Sequence, residues 1–301
     1  MNRFKSLILA AFGLMVTSCS VGAPPSPLVA PFARPGITEA PPTDLLYVGA
    51  NSDVYVYTYP QGTLHQTLSG FSAVGDMCTD KAQDVFITQI SSEIEEYAHG
   101  ATKPKATLHD PVEGSVDCAV SPVNGDLAVT NEPPGHSSTV TIFPKAKGRA
   151  KLYQDPAITY EVACAYDDKG NLFVEGYRDS TLVLTKLAYA AAKFATVRLD
   201  QSIGSGGLIQ WDGAHVAIAD ETTDTIYQFD ITRNKGKVVG STQLKKAPQF
   251  LYGFWISGAT IIVPNGSSNN VRFWKYPKGG NPTKIIGGVT QPSSVTVSLA
   301  K

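Results

Sequence analysis

The residues able to do chemistry recur at matching places along the 301-residue chain. Asp76, Asp117 and Glu161 lie in three short runs that each carry a cysteine: Gly75-Asp76-Met77-Cys78, Val116-Asp117-Cys118-Ala119 and Glu161-Val162-Ala163-Cys164. Gln89, Asn131, Asp220 and Asn265 each close a β-branched run, with Glu132, Glu175 and Glu221 beside that register. A hard cation such as Ca2+ needs several oxygens converging from different segments. Asp76, Asp117, Asn131, Glu161, Glu175, Asp220 and Asn265 are therefore the candidate set for a cation or a polar ligand. The same residue types also end strands and build turns without any ligand, and the sequence leaves both readings open.

Three cysteines follow Cys19. Cys78 lies two residues before Asp80, whereas Cys118 lies three before Ser121 and Cys164 three before Asp167. Opposite phase along a strand means opposite faces. Cys78 and Cys118 are thus placed to meet as a disulfide in an oxidising compartment, with Cys164 unpaired. Three buried thiols serving as small apolar side chains are the other reading. The histidines at 65, 99, 109, 136 and 215 show no metal-ligand spacing, and neither a Gly-x-Ser-x-Gly elbow nor a Gly-Lys-Ser/Thr phosphate loop occurs. Tyr160, Tyr177, Trp211, Tyr252, Phe254 and Trp255 stand near the same runs, where aromatic rings either line a pocket or fill gaps between packed sheets.

What must position these residues is a repeat. Val48, Ile87, Val129, Val174, Ile218 and Val263 form a β-branched column spaced by 39, 42, 45, 44 and 45 residues. Two positions earlier stand Leu46, Val85, Leu127, Leu172, Val216 and Ile261, so each segment presents one apolar strand face. A second column, Val54, Ile94, Val140, Leu182, Ile226 and Val271, is followed three residues later by Tyr57, Tyr97, Phe143, Thr185, Phe229 and Trp274. With the runs that carry the cysteines, each unit holds four strands. Six copies of about 43 residues match the period of a propeller blade. The expectation is an all-β fold, a six-bladed β-propeller of four-stranded blades over residues 44–301. Its ring is closed by the C-terminal strand at 293–298, which leaves no long open edge.

Ahead of the repeat, Arg3 and Lys5 precede an apolar run from Leu7 to Val16, too short to cross a bilayer and ordered like a signal peptide. The run closes on Val16-Thr17-Ser18-Cys19, which resembles a bacterial lipobox, implying residues 1–18 as a lipoprotein signal peptide and Cys19 as the lipidated residue. Prolines at 24, 25, 27, 31, 35, 41 and 42 make residues 19–43 a semi-rigid tether. The expectation is an exported protein, lipid-anchored to the cell membrane or outer membrane, with residues 44–301 in the periplasm or outside the cell. A formal net charge of −1 offers no basic stripe for nucleic acid.

Asp167-Asp168-Lys169-Gly170-Asn171-Leu172-Phe173-Val174 is similar to the NHL repeat, with weaker copies at Pro122–Asn131 and Asp80–Ile87. The chain thus resembles the NHL and SMP-30-like superfamily of six-bladed propellers. That resemblance implies a scaffold, not one activity. Two functions remain in play: a non-catalytic binding propeller for a protein, peptide or glycan at its rim, and a metal-dependent hydrolase of the lactonase kind, for which the superfamily implies a divalent cation at the channel mouth.

Overall fold

The protein is described by a computed structural model over residues 43–134, 138–251 and 253–301. The readings for residues 1–42, Cys19 among them, and those for His136 and Tyr252 lie outside the described residues. Within them the chain is all β, with 24 strands, two single 3-10 turns and no α-helix.

β1 (Leu45–Ala50), β2 (Asp53–Thr58) and β3 (Leu64–Ser69) share a sheet with β24 (Ser294–Ser298) in the order β24-β1-β2-β3. Two further sheets run in sequence order: β4 (Val74–Thr79), β5 (Val85–Gln89), β6 (Glu93–Tyr97) and β7 (Ala106–His109), then β8 (Ser115–Val120), β9 (Leu127–Asn131), β10 (Thr139–Phe143) and β11 (Lys151–Tyr153). β12 (Tyr160–Tyr166), β13 (Leu172–Arg178), β14 (Thr181–Leu187) and β15 (Ala195–Leu199) join β16 (Gly206–Trp211), β17 (Val216–Asp220), β18 (Thr225–Thr232) and β19 (Lys235–Gln243) in one eight-stranded sheet. The join is a short parallel contact between β15 and β19, Arg198 opposite Lys235 and Leu199 opposite Gly236. The last sheet is β20 (Trp255–Ser257), β21 (Thr260–Asn265), β22 (Asn270–Lys275) and β23 (Lys284–Gly287).

The strands form where β-branched and aromatic residues alternate with polar ones, and they stop at residues that tolerate positive φ. The β13–β14 hairpin turns on Asp179 (φ 49°) and Ser180 (φ 64°), the paired left-handed conformation a two-residue hairpin demands. All six residues of the β-branched column are fully buried, each on the second strand of its unit. One expectation is corrected here. Val174 pairs with Thr185 and Glu175 with Leu184, so Leu184 and Leu187 occupy the places that Val140 and Phe143 hold in β10. The hairpin is extended by two residues relative to the sequence alignment, and Thr185 is not a member of the aromatic column.

The sheets pack face to face through dry seams. Cys78, Phe86 and Ile94 of one sheet meet Cys118, Leu127, Val129 and Phe143 of the next. Burial of such apolar area, at about 25 cal/mol per Å², is the main term holding the seams. Trp274 is fully buried and still donates its indole N–H to the Lys245 carbonyl at 3.2 Å. The first strands touch one another in turn, β24 to β4, β4 to β8, β8 to β12, β12 to β16 and β20 to β24. Between β16 and β20, the Ile256 amide donates to Gln210 Oε1 at 2.5 Å. These strands surround a central channel, with an upper mouth where they begin and a lower mouth where they end.

Candidate functional site

Four of the six channel-lining strands carry an irregularity near their upper ends, in β4 between Val74 and Met77, β8 between Ser115 and Asp117, β12 between Glu161 and Ala163, and β16 between Gly206 and Ile209. A bulge adds a residue and re-aims the side chain beside it. In β4 and β8 that residue is an aspartate. Asp76 and Asp117 hydrogen-bond to each other across the seam between the two strands. Asp76 accepts the Met77 amide at 2.7 Å, and Asp117 accepts the Cys164 amide at 2.7 Å.

Two carboxyl groups this close in a buried site cannot both ionise easily. Burial, then the charge of Asp117, pushes Asp76 well above the usual carboxylate range. Burial raises Asp117 to about 7, against the opposing pull of the Cys164 and Cys118 amides. Asp76 is thus the member of the pair that keeps its proton to the higher pH. Glu175 is fully buried on β13, at a position where the equivalent strands carry Gly49, Thr88, Thr130, Ala219 and Pro264, and neither of its carboxyl oxygens has a partner. Burial first, then the charges of Asp117 and Glu221, pushes it up to about 8. Gly206 makes the room: a Cβ there would collide with Glu175 Oε1 and Leu182.

The remaining sequence candidates are placed differently. Asn131 is buried in a web with Ser115 Oγ, Thr141 Oγ1 and Asp110. Asp220 accepts the Thr222 amide at 3.0 Å, and Asn265 caps a 3-10 turn by accepting the Ser268 amide at 3.2 Å. Gln89 accepts the Ser72 amide at 2.8 Å. These side chains hold the loops at strand ends. Glu161 pairs with Gly176 in the β12–β13 ladder, and its side chain lies outside the described atoms. Among the described residues no group of three or more His, Cys, Asp or Glu side chains gathers as a metal would require. The motif aspartates at the lower mouth are turn builders too, since Asp167 Oδ1 accepts the amides of Lys169 and Asn171 at 2.9 and 2.8 Å.

Cys78 and Cys118 are joined by a disulfide, with Cα atoms 5.7 Å apart, linking β4 to β8. Cys164 is a buried free thiol, pushed well up by burial and by the neighbouring Asp117 and Asp76. A thiol held away from its thiolate is a poor nucleophile.

The channel holds two cavities that meet at Asp76 and Leu208. The lower, about 330 Å³, is lined by Asp117, Cys164, Tyr166, Trp211, Phe254 and Trp255 among others. The upper, about 480 Å³, is walled by Ile90, Glu132, Tyr160, Tyr177, Glu221 and Ser294 among others. Two exposed apolar side chains stand at it, Ile90 at 56% and Tyr160 at 43%. The Tyr160 and Tyr177 rings lie 6.4 Å apart and tilted by 52°. Tyr160 hydrogen-bonds to Glu132, and the Tyr177 hydroxyl accepts the Gly206 amide at 2.8 Å. Gly114, at φ +80°, lets the Glu132 backbone approach, because a Cβ would strike the Glu132 carbonyl.

Ile90, Ser294 and the Asp76–Asp117 contact escaped the sequence reading. Ser294 gave no distinct signal, because β24 alternates Ser294, Thr296 and Ser298 with Val295 and Val297. Glu175 does offer one, a carboxyl in a column of small or apolar residues.

No protein-family model matches the chain, and no curated protein matches it in sequence. Among solved structures it is similar to a protein of unknown function from Bacteroides caccae, at 12% identity and a TM-score of 0.62, over 85% of this chain and 99% of that one. It is also similar to the Cps50 (Swd1) β-propeller domain of Myceliophteria thermophila, at 10% identity and a TM-score of 0.57, over 81% of this chain and 82% of that one. Likeness at such identity concerns the fold alone. The chain has a β-propeller fold.

Proposed function

We propose that the chain is a non-catalytic binding propeller, anchored to the cell envelope through Cys19, that takes a protein, peptide or glycan ligand at its upper mouth. In this reading residues 44–301 form six four-stranded blades of the NHL and SMP-30-like kind, the eight-stranded sheet being two blades joined at their outer strands. The recurrence of one register in all six second strands supports that count.

The observation that carries the function is the upper cavity itself, an open space with an aromatic pair held in place by its own hydroxyls. Fixed aromatic rings beside polar groups are the usual furniture of a ligand site. Position supports it as well. β1 begins at the lower mouth, so the chain arrives from Thr43 on the side away from the upper cavity. The buried disulfide suits an oxidising compartment outside the cytoplasm.

The test is a screen of the mature protein on glycan and peptide arrays beside Tyr160→Ala and Trp211→Ala. The reading expects hits that vanish with Tyr160→Ala and persist with Trp211→Ala, which alters the lower mouth. An array without hits, or hits indifferent to Tyr160, would count against it.

A further inference from the structure

We infer that the upper cavity recognises an organic ammonium group, and that this is the part of the ligand the propeller reads. The inference rests on the upper mouth being the binding site and specifies what chemistry it selects.

Three observations carry it. The walls bring the carboxyl groups of Glu132 and Glu221 beside the proton-holding Asp76, and among the described lining residues there is no lysine, arginine or histidine. The Tyr160 and Tyr177 rings form a tilted pair in the same space. A cation over an aromatic face is drawn by the ring quadrupole, and aromatic walls with carboxylates behind them are how proteins hold alkylammonium groups. Each group is fixed before any ligand arrives: Tyr160 by Glu132, Tyr177 by Gly206, and Glu221 by the Leu251 amide at 2.7 Å and Ser205 Oγ at 3.2 Å.

An anionic or neutral ligand is less well served. An anion would meet the Glu132 and Glu221 carboxyl groups, and a neutral ligand would leave their charge uncompensated in a partly enclosed space. An apolar body with a positive head matches both kinds of wall. A quaternary ammonium and a primary amine, such as a lysine side chain or a peptide amino terminus, share that chemistry. Their separation belongs to the experiment.

The full-length chain in detergent would be titrated with tetramethylammonium, with n-butylamine and with 3,3-dimethylbutan-1-ol, an uncharged alcohol whose tert-butyl head matches a trimethylammonium group in shape, followed by saturation-transfer NMR. At least one cation should bind, about tenfold or more tighter than the alcohol. Tetramethylammonium ahead of butylamine would mark a quaternary site, and the reverse order a primary-amine site. Tyr160→Ala should weaken the cation by about tenfold, while Tyr160→Phe, which keeps the ring, should stay within about threefold. Glu132→Gln should weaken the cation and leave the alcohol unchanged. Equal binding of alcohol and cation would overturn the ammonium inference while leaving the mouth a binding site. So would cation binding that is indifferent to Tyr160, or no binding of either cation. The array screen, which does not depend on ligand charge, judges the mouth separately.

Discussion

Asp76 and Asp117 hydrogen-bond to each other across the seam between β4 and β8, at the point where the two halves of the channel meet. Raised carboxyl groups favour the fold at low pH. Between the ordinary aspartate value and about 7, the folded state keeps a proton on Asp117 that the unfolded chain has released. Glu175 does the same up to about 8. Stability contributed by both is full below the ordinary carboxylate range and is lost as pH rises through these values. The slope approaches about 1.4 kcal/mol per pH unit for each group. Denaturant unfolding from pH 5 to 9 should show stability falling. Glu175→Gln should reduce the slope and exceed the wild type above pH 8. A variant that tracks the wild type across that range would contradict the assignment.

The disulfide predicts a second one. Cys78 pairs with Phe86 and Ala119 with Ala128, equivalent places on successive first strands. Cys118 and Cys164 are equivalent in the same way, opposite Val129 and Val174. Ala119 therefore stands to Cys164 as Cys78 stands to Cys118. Ala119→Cys, expressed with export, should bond to Cys164, and peptide mapping of the unreduced protein should find that link. A free Cys164 in the purified variant would show that the seams are not equivalent.

Gly206 is required for space, not for backbone conformation, since a side chain there would strike Glu175 and Leu182. Gly206→Ala should destabilise by about 1–3 kcal/mol, the usual range for overpacking. Gly287→Ala, where nothing lies within 4 Å of the added carbon, should change stability by less than about 0.5 kcal/mol. Urea midpoints at matched slopes give both values.

Cys19→Ser should remove lipid labelling and move the protein to the soluble fraction, because one lipid anchor is the proposed attachment. Membrane association that survives both the substitution and high salt would point to another anchor.

The propeller was legible because its signal is repeated. One β-branched column at a steady period specifies a strand face many times over, so local errors average out. Where a feature occurs once, the pattern gives no help. The β15–β19 contact involves two residue pairs and leaves no periodic trace. The two extra residues of the β13–β14 hairpin slipped the alignment to Leu182 and Thr185, since leucine and threonine suit either register. Asn131, Asp220 and Asn265 share their residue types with ligand-binding oxygens, yet their side chains engage the web and turns at strand ends. Composition alone cannot separate those two uses of the same side chain. The Asp76–Asp117 contact depends on bulges that change phase inside two strands, and strict alternation does not anticipate them.

The central claim is that ligand enters the mouth walled by Tyr160 and Tyr177, not the mouth walled by Trp211 and Trp255. For any ligand the arrays yield, calorimetric dissociation constants for Tyr160→Ala and Trp255→Ala decide it. The account predicts a loss of tenfold or more, about 1.4 kcal/mol, for Tyr160→Ala and a change under about twofold for Trp255→Ala. The reverse ranking, with both variants folded, would place the site at the opposite end of the channel.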